Sequence, residues 1–236
     1  NNLAIRGATE ARSERRHVVT SVIEHPATAG PCDWLERRGW TVTRIAVDAD
    51  GRMRMADARA AIGDGTALVS VMHSNNETGV LQPVEEIAAV ARTCGALVHT
   101  DAAQSAGKVH LDVRTLGVDL LSIAGHKLYA PKGVGALFVK RGTPLVPFMR
   151  GAGHERGVRP GTENVASIVG LGVACEVAAW PSLSISLTWS SVVPCGLVAG
   201  FFGSSTGAVW FIMTVTSAND VPCLTASRRS AGTSWA

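Results

Sequence analysis

Between Leu120 and Val139 the sequence reads LLSIAGHKLYAPKGVGALFV: an apolar run stops at Gly125, presents His126 and Lys127 side by side, and resumes after a Pro/Gly-rich loop. A lysine held at the end of a buried strand loses its proton more readily than a solvated one, because desolvation disfavours the ammonium. A neutral amine condenses with an aldehyde. Other polar residues follow apolar runs in the same way: His25 after HVVTSVIE, Asn75 and Asn76 after LVSVMHS, Asp101 and Gln104 after ALVHT. Each has an ordinary explanation when taken singly. An Asn pair makes turns, an Asp after a strand caps the next helix, and a lone histidine is a satisfied structural group. A lysine, an acid, an amide and two imidazoles at four strand ends together point to a site.

The elements that must position these residues alternate. Apolar, β-branched runs at 17–23, 40–47, 67–74, 96–101, 118–124 and 135–140 have the length of buried strands. Between them lie stretches at helical spacing: CDWLERRG, MADARAAIG, PVEEIAAVARTCG with Pro83 opening and Gly95 closing it, and ENVASIVGLGVACEVAA with Thr162 as N-cap. This order predicts an α/β fold with a largely parallel sheet flanked by helices, whose ligands sit beyond the carboxyl ends of the strands. A carboxylate one strand away from such a lysine holds a pyridine nitrogen protonated and makes the ring an electron sink, which is the division of labour of pyridoxal phosphate chemistry.

Composition narrows the classes. A chain of 236 residues with 46% hydrophobic and 17% charged residues buries a full core. A net charge of +3, with scattered basic residues and no aromatic interleaving, gives no nucleic-acid footprint. Five dispersed cysteines form neither a disulfide framework nor a CxxC metal pair, so no metal site is expected and a reducing, cytoplasmic compartment is the default. The opening residues lack a start methionine and a signal-type apolar core, which predicts that the sequence begins inside a longer protein.

Four stretches in order, SNNETGVLQPVEEIA, HTDAAQSAGKVHLDV, GVDLLSIAGHKLYAPKGVGALFVKRG and GAGHERGVRPGTENVASIVGLG, resemble the cysteine desulfurase and selenocysteine lyase family of class V aminotransferase-like enzymes, from residue 1 to about 179. The resemblance implies an incomplete large domain of pyridoxal phosphate fold type I. It makes Lys127 the Schiff-base lysine and places His126 on the phosphate of pyridoxal 5'-phosphate. Asp101 would pair with the pyridine nitrogen, Gln104 and Asn76 would bond around the ring oxygen, and His25 would stack on the ring and assist catalysis. Thr162 would reach the phosphate in a neighbouring subunit, which implies a homodimer. The implied substrate is L-cysteine or L-selenocysteine, with Lys127 as base at Cα, alanine as one product and sulfur passed through a mobile cysteine to an acceptor protein, as in iron-sulfur cluster assembly.

The chain also departs from that family. Its match starts just after the Gly/Thr-rich phosphate turn of relatives, and Ala124 stands where many desulfurases carry a serine. From Val177 to Asn219 there is no Asp, Glu, Lys or Arg, and nothing resembles the family's small domain with its mobile cysteine and carboxylate-binding arginine. The expected division is therefore a partial cofactor-binding domain over 1–179 and a non-homologous apolar tail over 180–236. A tail of foreign reading frame is favoured over a membrane segment at Leu197–Val215 or an extra domain. Cys195 and Cys223 inherit no sulfur-accepting role by motif, and Cys32, Cys94 and Cys175 read as packing residues. Impaired turnover follows. The alternatives are a catalytically dead scaffold or subunit partner, and another class V aminotransferase.

Overall fold

Strands buried on both faces read as largely apolar runs, and this sequence supplies them. The computed structural model describes residues 1–178, together with the backbone of 199–203 and 209–214. All six expected strands are present: β1 (His17–Ser21), β2 (Thr41–Ile45), β3 (Thr66–Ser70), β4 (Leu97–Asp101), β5 (Leu120–Ala124) and β6 (Gly135–Val139). Every residue of β3, β4 and β6 is buried. Two further strands, β7 (Ala199–Gly203) and β8 (Val209–Thr214), extend the sheet to the order β2-β1-β3-β4-β5-β6-β8-β7. Pairing is parallel except at β5–β6 and β7–β8. The rest of the expected 180–236 tail lies outside the described residues. Among the described residues, no helix is long and apolar enough to cross a membrane.

Helices cover both faces. Helices α1 (Asn2–Glu10) and α2 (Pro26–Glu36) close one core with Ile5, Ala8, Val18, Leu35, Leu68 and Leu120. On the opposite face α3 (Met55–Ala61) and α4 (Val84–Thr93) pack with Val19, Val69, Ile87 and Val98. The short α5 (Val113–Leu116) precedes β5, and α6 (Val165–Ala178) follows β6 and buries Leu171 against Leu128 and Val134.

Several boundaries differ from the sequence reading. Helix α2 starts at Pro26 rather than near Cys32, because His25 caps it through Nδ1 and Pro26 fills the first turn. Pro83 is the N-cap of α4 rather than its first helical residue, while Gly95, at φ +68°, ends the turn as expected. Helix α6 starts at Val165, so Thr162 is not its N-cap. Asn164 takes that place, its Oδ1 accepting from the Ser167 N–H at 3.4 Å. Helix α1 was not anticipated, since its apolar face spans little more than two turns.

The connections leaving β1 and β3 run in opposite directions. The chain passes from β1 outward to β2, then returns to lay β3 on the other side of β1. Helices α2 and α4 therefore fall on opposite faces, and a crevice opens between the carboxyl ends of β1 and β3.

Candidate active site

That crevice is a cleft of about 430 Å³ lined by Val22–Pro26 after β1 and Asn75–Thr78 after β3, with Val47 and Gly51 at its side. It brings together two of the sequence-derived candidates, His25 and Asn76. Asp101, Gln104, His126 and Lys127 do not line it. They follow β4 and β5, the next two strands along the same edge, where Asp101 is in register with Ser122. Thr162 is exposed in the loop leading into α6, outside this row of strand ends.

The polar groups at this edge divide into those already bonded and those left open. His25 Nδ1 accepts the Ala27 N–H at 3.1 Å, which places the proton of the neutral ring on Nε2. Asn75 is fully engaged: its Oδ1 takes the N–H groups of Glu77 and Thr78 and the Thr78 hydroxyl, and its Nδ2 donates to the Ile23 carbonyl. Asn76 beside it is exposed with its amide unbonded among the described residues. The Asn pair is thus one turn-former and one free amide.

Asp101 is 8% exposed. Its Oδ1 accepts the Ala103 N–H at 2.9 Å and its Oδ2 accepts the Asn1 amide at 2.6 Å, and Asn1 also donates to Thr28 of α2. The aspartate does form the helix-cap-like turn that a bland reading assigns it, yet each oxygen retains a further lone pair. Lys127 stands in the 3-10 turn Gly125–Leu128 and is partly buried. Its amine, like the side chains of His126 and Gln104, takes no partner among the described residues. Gly125 is required here, because a Cβ would meet the Val134 carbonyl at 2.7 Å. The turn closes on Tyr129 at φ +62°, an unusual conformation for a tyrosine.

Sequence reasoning missed the layer beneath. Glu24 accepts the Ser21 hydroxyl at 2.5 Å and the Met72 N–H at 3.0 Å. Burial pushes its carboxyl up to about 7; the Ser21 hydroxyl and the Met72 N–H oppose the shift and Asp101 adds to it. His73 binds the Ser105 hydroxyl at 2.7 Å, and burial lowers its basicity. His99, fully buried on β4, bridges the hydroxyls of Ser70 on β3 and Ser122 on β5, and burial holds it well below the usual imidazole range. Glu24 directly precedes His25, and that adjacency was the available signal.

The described cysteines pack. Cys32 is buried and its thiol is pushed up to about 12, and Cys175 is pushed up to about 11, by burial in each case. Neither supplies a thiolate near neutral pH. Among the described residues no cluster could hold a metal ion.

A mostly parallel sheet with a lysine, a carboxylate and a cleft lined by a histidine along its carboxyl edge defines an α/β class whose candidate site lies at the strand ends, and comparison gives the family. The aminotransferase class-V family model matches residues 1–186. The chain belongs to that family. It is 52% identical over 179 residues to a cysteine desulfurase of Gluconacetobacter diazotrophicus, covering 75% of this chain and 45% of the relative. It is 49% identical over 178 residues to the cysteine desulfurase NifS of Azotobacter vinelandii, covering 75% and 44%. Among solved structures, a NifS-like protein superposes at TM-score 0.73 with 37% identity, over 75% of this chain and 49% of that one. SspA in complex with cysteine gives 0.72 and 44%, over 78% and 53%. The chain thus spans about half the length of the curated relatives it matches. The fold type I assignment is borne out by these neighbours.

Class V aminotransferases and cysteine desulfurases depend on pyridoxal 5'-phosphate. The residues present fit that group on their own chemistry. An amine and a carboxylate, the two kinds of group that an aldehyde and a pyridine nitrogen call for, lie at the ends of adjoining strands, and amides and imidazoles follow strands along the same edge.

Proposed function

We propose that this chain is the cofactor-holding portion of a pyridoxal phosphate-dependent cysteine desulfurase or selenocysteine lyase, acting on L-cysteine or L-selenocysteine to release sulfur or selenium and L-alanine. The observation that carries the reading is that a lysine with no partner among the described residues follows β5 while a buried carboxylate ends the neighbouring parallel strand β4. The desulfurase relatives and the cysteine complex among the structural neighbours support it.

In this proposal Lys127 holds the cofactor aldehyde and later serves as base for the proton at substrate Cα. Asp101 keeps the ring nitrogen protonated, Gln104 and Asn76 bond around the ring oxygen, His25 covers one ring face with its Nε2–H, and His126 contacts the phosphate. The cofactor supplies an electron-poor ring that stabilises negative charge on the substrate.

Thr162 reaches a second subunit's phosphate in a homodimer, and an acceptor protein takes the sulfur, consistent with a cytoplasmic role in iron-sulfur cluster assembly. The division at 179 is part of the same reading and is supported by matches that span 178–179 residues. Burial removes Cys32 and Cys175 from the sulfur-accepting role. Turnover by this chain is accordingly expected to be impaired, with no stable persulfide on Cys195 or Cys223. Alanine release from L-cysteine, with sulfur mapped by thiol trapping, tests this: robust release with sulfur on Cys195 or Cys223 contradicts the impairment. Transamination of a keto acid without alanine release from cysteine favours another class V activity.

A further inference from the structure

Among the half-buried polar groups that the proposed chemistry does not use, one sits directly behind a proposed site residue. Glu24 is the last residue before the His25 cap of α2, and it lines the same cleft. Its carboxyl is built into the junction of two strands. One oxygen takes the Ser21 hydroxyl at the end of β1 and the Met72 N–H just past the end of β3, and the other lies 3.1 Å from the same N–H. The next residue, His73, continues the tie by bonding Ser105 in the turn that carries Gln104, while its own N–H donates to the Asp101 carbonyl at 2.8 Å. The extended chain at 72–73 therefore joins the His25 corner on one side to the Asp101–Gln104 turn on the other.

We propose that Glu24 is a positioning residue: by holding Ser21 and the Met72 N–H it fixes the β1–α2 corner, and so sets His25 over the cleft relative to the ring-holding residues of β4. This rests on the functional reading above for what His25 does, but not for how His25 is held. The carboxyl's buried setting, which pushes it up to about 7, agrees with a group that works through hydrogen bonds rather than through charge. A glutamine carries an oxygen at the same reach and can accept both bonds through it. An aspartate keeps the charge but falls one methylene short of the Met72 N–H.

The test compares Glu24→Gln with Glu24→Asp, both checked for folding by circular dichroism. The first readout is the nitrogen-15 spectrum of the His25 ring without cofactor, which reports whether Nδ1 stays the acceptor. The second is the affinity for added pyridoxal 5'-phosphate, read from absorbance. Glu24→Gln is expected to keep the His25 tautomer and bind cofactor within about twofold of the parent. Glu24→Asp is expected to average the two ring tautomers and weaken binding about tenfold, the equivalent of one lost buried hydrogen bond. A wild-type-like Glu24→Asp, or a Glu24→Gln as impaired as Glu24→Asp, overturns the proposal. If the parent chain takes no cofactor, the functional reading fails, and the His25 spectrum still decides the role of Glu24.

Discussion

Asp101 on β4 and Ser122 on β5 are partners in one parallel register. Lys127, five residues past Ser122, therefore leaves its strand at the edge where the Asp101 carboxylate is buried. His99, two residues before Asp101, bonds Ser122 from β4 and Ser70 on β3, which locks three strands together just behind that edge. The acid is placed by the last residue of β4, and the amine by the 3-10 turn that directly follows β5.

Replacing Asp101 by Asn keeps an oxygen for the Ala103 N–H and removes the charge. Cofactor binding should persist while any lyase activity falls by about a hundredfold or more. Alanine release measured beside cofactor absorbance checks this, and unchanged activity reduces Asp101 to a turn-former.

Glu24 gives the fold a pH signature. Its carboxyl is raised from 4.5 to about 7 in the folded chain, so the folded state holds a proton that the unfolded state has released. Its contribution to stability is fully present below about 4.5 and is lost as pH rises through about 7, on the order of 3 kcal/mol across the window. Denaturant unfolding at a series of pH values should show this fall in the parent and a flatter profile in Glu24→Gln. An identical profile in both places the titration elsewhere.

His25 has two separable jobs. His25→Ala removes the acceptor for the Ala27 N–H, at a cost of about 1 kcal/mol, and also the ring cover. His25→Asn should restore the cap but not the cofactor contact. Unfolding midpoints and cofactor titrations on both variants separate the roles: if His25→Asn recovers cofactor affinity as well as stability, His25 acts only as a cap.

Legibility in the sequence followed burial. The six strands could be read because a parallel strand covered on both faces leaves a largely apolar run, as in Ala67–Val69 and Ala96–Val98. The antiparallel sense of β6 left no trace, since a buried strand has the same composition in either direction. The start of α2 was missed because PATAGP offers small residues and Pro31 in place of a helical period. Lys127, Asp101, Gln104, His126, Asn76 and His25 could be singled out as candidates because strand ends are where polar residues interrupt apolar text. Glu24, His73 and Ser105 could not, because their significance lies in pairings across 32 to 48 positions of sequence.

Reduction of the cofactor complex tests the central claim most directly. The chain incubated with pyridoxal 5'-phosphate and treated with borohydride should carry the label on Lys127 by peptide mapping, and Lys127→Ala should abolish both the label and the yellow absorbance. Label spread over Lys108, Lys132 and Lys140, with Lys127 no more modified than these, contradicts the account.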